Sequence, residues 1–556
     1  MNEFKFGTEE ENSKNLTSAL SILKNLSNKQ NEKTNYDEED FQSKLERDQN
    51  SEIFKGLEQN EVCRISKKEE FNLSNDSAGK QSDGKKSNQL SEIVKVADRY
   101  EMFLDETGQP CATKFTNGVK KTYCIDDSLV GVIEADYINT LNDIPSDAVI
   151  KKTLRYMKHC ASENTKHRKT YKRFASIDGC IYHDLNDGKG SVVKIDEQGW
   201  DVLVNPPIEF IRTGNMHPLP HPSRDGNYEL FFKYLNINKE EDLILLKSYV
   251  PCILNSEIAR PALFIVGAKG SCKTSMARFI RSVIDPVVNA VSFPKNNERE
   301  MNLIFKQYPF PVFDNVDSYD NRVSNLFCGA ITGTGVEERK YYTNSETVFT
   351  NYKRSFISTS IDMPKVGSDL IDRSIIIELD VLGDNETQLE NALLSKFSND
   401  HANIMGGLYD VLSSALKFQN EIILKSVPRM ADFALMASAV GKALGHDPDE
   451  IINIYNSNKS SYYNSEVGDD IFFSNLVEFL EVKNGFCDSV GALFNEFKLY
   501  IANWHPMDIN CAPKAPNYLS RELKKYTEHL RLSGWSMVFS DHAKKVRTIT
   551  FNKIVK

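Results

Sequence analysis

Apolar residues follow three different rhythms along the chain, and the changes between them set the expected architecture. Residues 1–95 carry few: Asn, Ser, Lys, Glu and Gln predominate, and only Leu16–Leu26 has the spacing of one short amphipathic helix. Such a segment buries too little apolar surface to offset the entropy of ordering, so it is expected to be largely disordered. Short alternating runs take over from residue 96 to 225. Tyr100–Cys124 reads as strands and turns and Ser146–Cys160 as a helix. Gly179–Asp184, Ser191–Ile195, Asp201–Val204 and Glu209–Thr213 read as four strands divided by turn residues.

Helical spacing then alternates with continuous apolar runs. Asn227–Leu254 has a helical period, and Ala262–Val266 is the unbroken run of a strand buried on both faces. Ser374–Leu379 reads as a further strand, Leu389–Phe397, Ile404–Phe418 and Arg429–Leu444 as helices, and Lys459–Gly468 as a linker. Helices at Ile471–Val482, Val490–Ala502 and Ser520–Leu532 precede a hairpin of Trp535–Phe539 and Val546–Phe551, which is a winged-helix pattern. The fold class is therefore α/β, in five parts: a polar tail (1–95), a small α+β domain (96–225), a core with a helical lead-in (226–385), a helical lid (386–458) and a winged helix (459–556).

Composition narrows the classes without choosing among them. The 556 residues are 40% hydrophobic and 26% charged, the balance of a globular protein, and no apolar run reaches the length of a bilayer span. Met1–Lys29 mixes charges of both signs and lacks a signal-like core, so the cytoplasm is the expected compartment. The ten cysteines include no CxxC pair, which gives no zinc or disulfide framework, and His217 and His221 fit a rigid proline-rich surface loop. A net charge of −10 means that any basic surface has to be local. Two segments qualify. Lys151–Arg173 holds nine Lys/Arg against one acid, with Tyr156, Tyr171 and Phe174 interleaved, a pattern equally suited to a single-stranded nucleic-acid groove and to a solvated helix face. Residues 512–556 hold ten Lys/Arg against three acids, with Arg521, Lys524 and Lys525 on a helix capped by Ser520 and Lys544, Lys545 and Arg547 in the wing.

The chemistry concentrates after Val266. Gly267-Ala268-Lys269-Gly270-Ser271-Cys272-Lys273-Thr274-Ser275 joins the apolar strand to a helical segment ending at Pro286, the context of a P-loop. Loop and helix N–H groups converge where the helix dipole is positive, so a polyphosphate is expected there, with Lys273 on the β- and γ-phosphates and Thr274 on Mg2+. Cys272 stands where glycine is common, and is expected as a small buried substitute. Pro309–Asp317 is a short apolar strand ending in acids, about 40 residues downstream, which puts Asp314 at a second Mg2+ ligand position. Asn315 follows it, leaving Asp317 as the nearest acid to orient water. Thr332–Tyr342 reads as a turn and hairpin presenting Arg339 and Lys340. In the strand from Arg354, Thr359 or Ser358 fits the place that touches a γ-phosphate. Arg373, just before a strand, suits either a trans contact with a neighbouring subunit's phosphate or a salt bridge to Asp369 or Asp372.

The order of P-loop, Asp-Asn strand, Thr-Gly turn with Arg-Lys, polar-ended strand and Asp-Leu-Ile-Asp-Arg resembles the core of superfamily-three and related AAA+ helicases. Within that group it looks most like the replicative helicases of plasmids, phages and integrated cassettes, including the minichromosome-maintenance-like proteins of staphylococcal cassettes. The likeness spans residues 175–555 loosely and 228–380 best, with Ile181–Leu185, Gly199-Trp200 and Met216–Pro220 also similar. It implies a ring, expected as a homo-hexamer, that hydrolyses Mg-ATP to move on single-stranded or forked DNA. Lys273 and Thr274 would then hold nucleotide, Asp314 Mg2+, Lys340 the strand in the pore, and Arg373 the neighbour's ATP. Cys272 and Thr359 depart from the family's usual Gly and Asn, and the N-terminal region carries no primase signature. A primase or initiator partner would dock through residues 1–95. The alternative is an initiator or origin-binding protein that uses ATP as an assembly switch without unwinding.

Overall fold

The computed structural model describes residues 84–164, 167–293, 297–333, 336–339, 347–350, 352–383, 390–468, 471–511, 513–540 and 548–554. Nearly all of them belong to the unit Lys86–Lys556. Most of the polar tail, with Leu16–Leu26, lies outside the described residues. Its expected end at residue 95 falls inside a helix, Gly84–Ala97, whose Ile93, Val96 and Ala97 are buried.

The organising layer is a parallel sheet in the order Val312–Phe313, Ile357–Ser360, Ala262–Gly267, Ser374–Leu379. A parallel bridge from Ser292 to Phe313 extends its edge. All six residues of Ala262–Gly267 are buried, as expected of a central parallel strand covered on both faces. The helix Lys273–Ile284 follows it and buries Met276, Ala277, Phe279, Ile280, Val283 and Ile284 in the same core. Phe279 meets Phe397 with ring centroids 4.9 Å apart, which ties this helix to the long helix Glu390–Gln419.

That long helix replaces the two helices expected at 389–397 and 404–418. The linker expected at Lys459–Gly468 is instead the end of a continuous helix, Pro448–Gly468. Both segments lie in the same core as the sheet: Phe397, Leu408, Tyr409, Ile451 and Tyr455 all join it.

Packing also divides the expected 96–225 domain. Residues 101–105, 110–116 and 119–124, with 167–168, form one sheet, which shares a separate core with helices Val130–Leu141 and Asp147–Glu163. The antiparallel meander Phe174–Ile177, Cys180–Asp184, Ser191–Asp196, Gly199–Val204 turns the other way. Its Phe174, Ile181, Val193, Ile195 and Trp200 enter the central core, and Trp200 Nε1 donates to Asp410 on the long helix at 2.8 Å.

Arg173 fastens this meander to the helix Lys273–Ile284. Its backbone is left-handed (φ 61°) and its guanidinium is fully buried. Nε pairs with Asp285 at 3.0 Å, while the other nitrogens donate to the carbonyls of Asp184, His217 and Pro286. His183 adds a second tie. Nε2 lies 2.8 Å from the Ile284 carbonyl, so it carries the proton and Nδ1 accepts from the Tyr409 hydroxyl at 2.9 Å. Burial holds this imidazole neutral, down at about 3.

The C-terminal segment has its own core of Phe472, Leu476, Phe479, Leu493, Phe497, Leu519, Leu523, Trp535 and Phe551. Helices Ile471–Lys483, Val490–Trp504 and Pro516–Lys525 pack against a three-stranded sheet of 486–489, 548–553 and 535–539. The strand Phe486–Ser489 was not anticipated from the sequence. The third helix begins at Pro516 with Ala515 as its cap, so Ser520 lies in mid-helix and caps nothing.

Candidate functional site

The glycine loop sits at the C-terminal end of the central strand, where open α/β sheets place their ligands. Gly267 has φ 154°, and a Cβ there would lie 2.5 Å from the Leu379 carbonyl and 2.8 Å from Ser271 Oγ, so only glycine fits. Gly270 also has a positive φ, 87°. Ser271 is buried and its hydroxyl donates to the Ala268 carbonyl at 3.0 Å. Ala268, Lys269 and Gly270 are exposed, and Ser275 is half-buried in the first helical turn.

Cys272 is exposed, not buried as expected, and it caps the helix in the left-handed region at φ 62°, ψ 25°. The backbone, not the space, accounts for glycine's usual presence at this place. An L-residue there carries a steric cost of about 1–2 kcal/mol that glycine escapes. Cys272→Gly should therefore move the chemical-denaturation midpoint to higher denaturant by an amount equivalent to about 1 kcal/mol, at unchanged slope. An earlier midpoint would mean that the thiol makes a compensating contact.

The first helical N–H to find an intrahelical acceptor is that of Met276, on the Cys272 carbonyl at 2.9 Å. The three before it, on Lys273, Thr274 and Ser275, are available to an anion by helix geometry. Lys273 Nζ folds back on the loop, donating to the carbonyls of Gly267 at 2.7 Å and Ala268 at 2.8 Å. Burial lowers its affinity for a proton, with Asp314 opposing that effect.

Asp314 stands across from the loop at the end of Val312–Phe313. Thr274 Oγ1 donates to its Oδ1 at 2.9 Å, and the Thr359 hydroxyl donates to the same oxygen. The sheet order explains the meeting, because Ile357–Ser360 lies between Val312–Phe313, which leads to Asp314, and Ala262–Gly267, which leads into the loop. Alternation along that strand settles which hydroxyl faces the site: Thr359 reaches Asp314, whereas Ser358 contacts the Tyr319 hydroxyl at 3.1 Å. Thr359 Oγ1 also accepts from Asn315 N–H at 3.1 Å. Its single proton is thus spent on Asp314, so Thr359 orients the carboxylate.

This donor set suits Mg-triphosphate: a hydroxyl and a carboxylate as hard oxygen ligands, an ammonium, and free helix N–H groups around a loop that admits no Cβ at Gly267. Asp317, three residues beyond Asp314, is exposed.

Arg373 lies apart from these groups in an ion-pair cluster. It pairs with Asp369 and donates to the Asp369 carbonyl at 2.7 Å, so the salt-bridge alternative is present within the chain. Arg429, which the sequence reading passed over, contacts Asp369 and pairs with Asp372 at 3.0 Å.

Of the residues expected to meet DNA, Arg339 ends the strand Val336–Arg339, paired with Thr347–Thr350. Arg521 and Lys524 are exposed, and Lys525 pairs with Glu522 at 2.8 Å. Lys340, Lys544, Lys545 and Arg547 lie outside the described residues.

Of the two alternatives for Lys151–Arg173, the groove lacks its stacking platform. Tyr171 and Phe174 are buried, and the half-buried Tyr156 gives its hydroxyl to Asp98 at 2.8 Å. Lys172 reaches the Lys306 carbonyl at the C-terminal end of helix Glu298–Gln307, and burial pulls its ammonium down to about 8. Arg168 is paired with Glu101 and Glu209. Among the described residues no His, Cys, Asp and Glu cluster has the form of a metal site, and no helix is long and apolar enough to cross a membrane.

Comparison with known proteins bears on the central segment. No curated protein matches the chain. Among solved structures, the active helicase Cch of type IV SCCmec is 14% identical, with 82% of this chain and 93% of that chain covered and a TM-score of 0.41. The apo C-terminal region of NrS-1 is 12% identical, with 83% and 99% covered and a TM-score of 0.37. Residues 229–452 match the family model of the actinomycete integrative conjugative element replication protein. Across the stretch that holds the glycine loop, Asp314 and Thr359, this chain is thus similar to a replication protein of a mobile element.

Proposed function

We propose that this chain is an ATP-dependent DNA helicase or translocase that serves replication of a mobile element, as a ring on single-stranded or forked DNA. The observation that carries the reading is the meeting of Thr274 and Asp314 at 2.9 Å beside the glycine loop of a parallel sheet. The core is then an AAA+ P-loop ATPase, with helices 390–468 as its lid and the C-terminal segment as a winged helix.

Gly267–Ser275 wraps the phosphates. Lys273 Nζ leaves the loop carbonyls for the β- and γ-phosphates, and Thr274 and Asp314 hold Mg2+, with Thr359 fixing the carboxylate. Bound Mg2+ would neutralise charge developing on the transferred phosphoryl group. Asp317 orients the attacking water. Arg373, released from Asp369, reaches the ATP of an adjoining subunit in a homo-hexamer. Arg339 and Lys340 grip single-stranded DNA, while Arg521, Lys524, Lys525, Lys544, Lys545 and Arg547 contact DNA through the winged helix.

Strand displacement on a forked DNA tests this division of labour. Lys340→Ala should keep basal ATP hydrolysis and lose both its stimulation by DNA and unwinding. Full strand separation by Lys340→Ala would refute the pore assignment. ATP and duplex binding by the unaltered protein, with no fork opening under any condition, would support the initiator reading instead.

A further inference from the structure

Burial of Tyr171 and Phe174 and the pairing of Arg168 leave a smaller feature of the basic run unexplained. Lys151, Lys152, Arg155 and Lys158 are all exposed on the helix Asp147–Glu163, and His159 is exposed beside them. Helical geometry gathers these five positions into an arc of about 120°, opposite the buried stripe of Val149, Ile150, Thr153, Leu154, Met157 and Ala161. None of the four Lys/Arg side chains has an acidic partner among the described residues, and no acid lies between Lys151 and His159. Elsewhere exposed cations are commonly paired, as Lys483 is with Glu496, Lys525 with Glu522 and Lys553 with Glu481.

The arrangement carries a cost. Lys151 with Arg155, and Lys152 and Lys158 each with Arg155, are like-charge pairs at i,i+4 and i,i+3, each destabilising a helix by about 0.2–0.5 kcal/mol. Such a stripe is also unusual in a chain of net charge −10. A polyanion laid along the helix would relieve the repulsion. With Tyr156 bonded to Asp98 and the other aromatics buried, the face offers charge without a stacking platform.

We infer that the Lys151–Lys158 face of this helix binds the phosphodiester backbone of nucleic acid without reading its sequence, as a contact separate from the hairpin at Arg339–Lys340 and from the C-terminal segment. The inference rests on the DNA-acting reading above and adds a third contact to it. From Lys151 to Lys158 the helix rises about 10 Å, matching about three phosphates at the per-strand spacing.

The test is the salt dependence of full-length protein binding to a 30-mer, as duplex and as single strand, with Lys151→Gln/Lys152→Gln/Arg155→Gln/Lys158→Gln alongside. Losing about three phosphate contacts should flatten the slope of log affinity against log salt by about 2.7 on duplex and about 2 on single strand. Between 50 and 200 mM salt, duplex affinity of the variant should then fall about 40-fold less than that of the unaltered protein. DNA-independent ATP hydrolysis should be the same in both. Lys151→Arg/Lys152→Arg/Lys158→Arg should keep the original slope, which separates charge from packing. Equal slopes for the unaltered protein and the glutamine variant overturn this inference alone. Absence of DNA binding by the unaltered protein overturns the functional reading with it.

Discussion

Lys273→Ala should remove ATP turnover while leaving the fold intact. Nζ donates to the Gly267 and Ala268 carbonyls, and these contacts are local. Those carbonyls border the loop's exposed residues Ala268–Gly270, so water can replace the lost donors and little stability is forfeited. On the proposed reading Nζ moves from these carbonyls to the phosphates, and losing such a charged group costs about 10²–10³-fold or more in rate. The measurement is steady-state phosphate release with and without DNA, paired with near-UV circular dichroism to show native packing. Turnover within a few-fold of the unaltered protein would remove Lys273 from the chemistry, and with it the loop as a triphosphate site.

Arg173→Met should be the most destabilising single change outside that loop. Both partners of the Arg173–Asp285 pair are fully buried, and the same guanidinium satisfies the carbonyls of Asp184, His217 and Pro286. Removing this cation leaves the buried Asp285 carboxylate to Arg281, whose Nη2 is 4.0 Å away, a loss of about 3–5 kcal/mol, and the unpaired carbonyls add to this. A lower denaturation midpoint is expected, with loss of nucleotide binding following from it, because Asp285 and Pro286 end the helix that begins at Lys273. Arg173→Met/Asp285→Leu should recover part of the midpoint but not all of it, since the carbonyls of Asp184, His217 and Pro286 stay unpaired and the buried Arg281 loses its carboxylate. An unchanged midpoint in Arg173→Met would show that the meander and the helix are held together by apolar contact alone.

The candidate site was legible because its signal is local. A buried apolar strand, a glycine turn and an amphipathic helix follow one another within 262–284, and Asp314 ends the next apolar strand. Sheet order then brought Thr359 to Asp314, which one sequence cannot specify. Features that depend on distant packing were misread. Lys459–Gly468, rich in Ser and Asn, looks like a linker by propensity, yet the helix from Pro448 runs through it, anchored upstream by Ile451, Ile452 and Tyr455. Phe486–Ser489 is short and mostly solvent-facing, so it lacks the alternation that marks a strand, and only pairing with 548–553 makes it one. Arg173 sat in a run of cations and read as one more surface charge. Its role is set by Asp285, 112 residues away. Cys272 illustrates a subtler limit: its identity gave no hint that its side chain is exposed and its backbone left-handed.

The most direct measurement is equilibrium binding of a fluorescent ATP analogue, with and without Mg2+, to the unaltered protein, Lys273→Ala and Asp314→Asn. A triphosphate site shared by Lys273, Thr274 and Asp314 requires Mg2+-strengthened binding in the unaltered protein. Asp314→Asn should then bind with the Mg2+ effect lost, and Lys273→Ala should bind hardly at all. Equal affinities in all three proteins, with equal response to Mg2+, would place the nucleotide elsewhere and contradict the assignment.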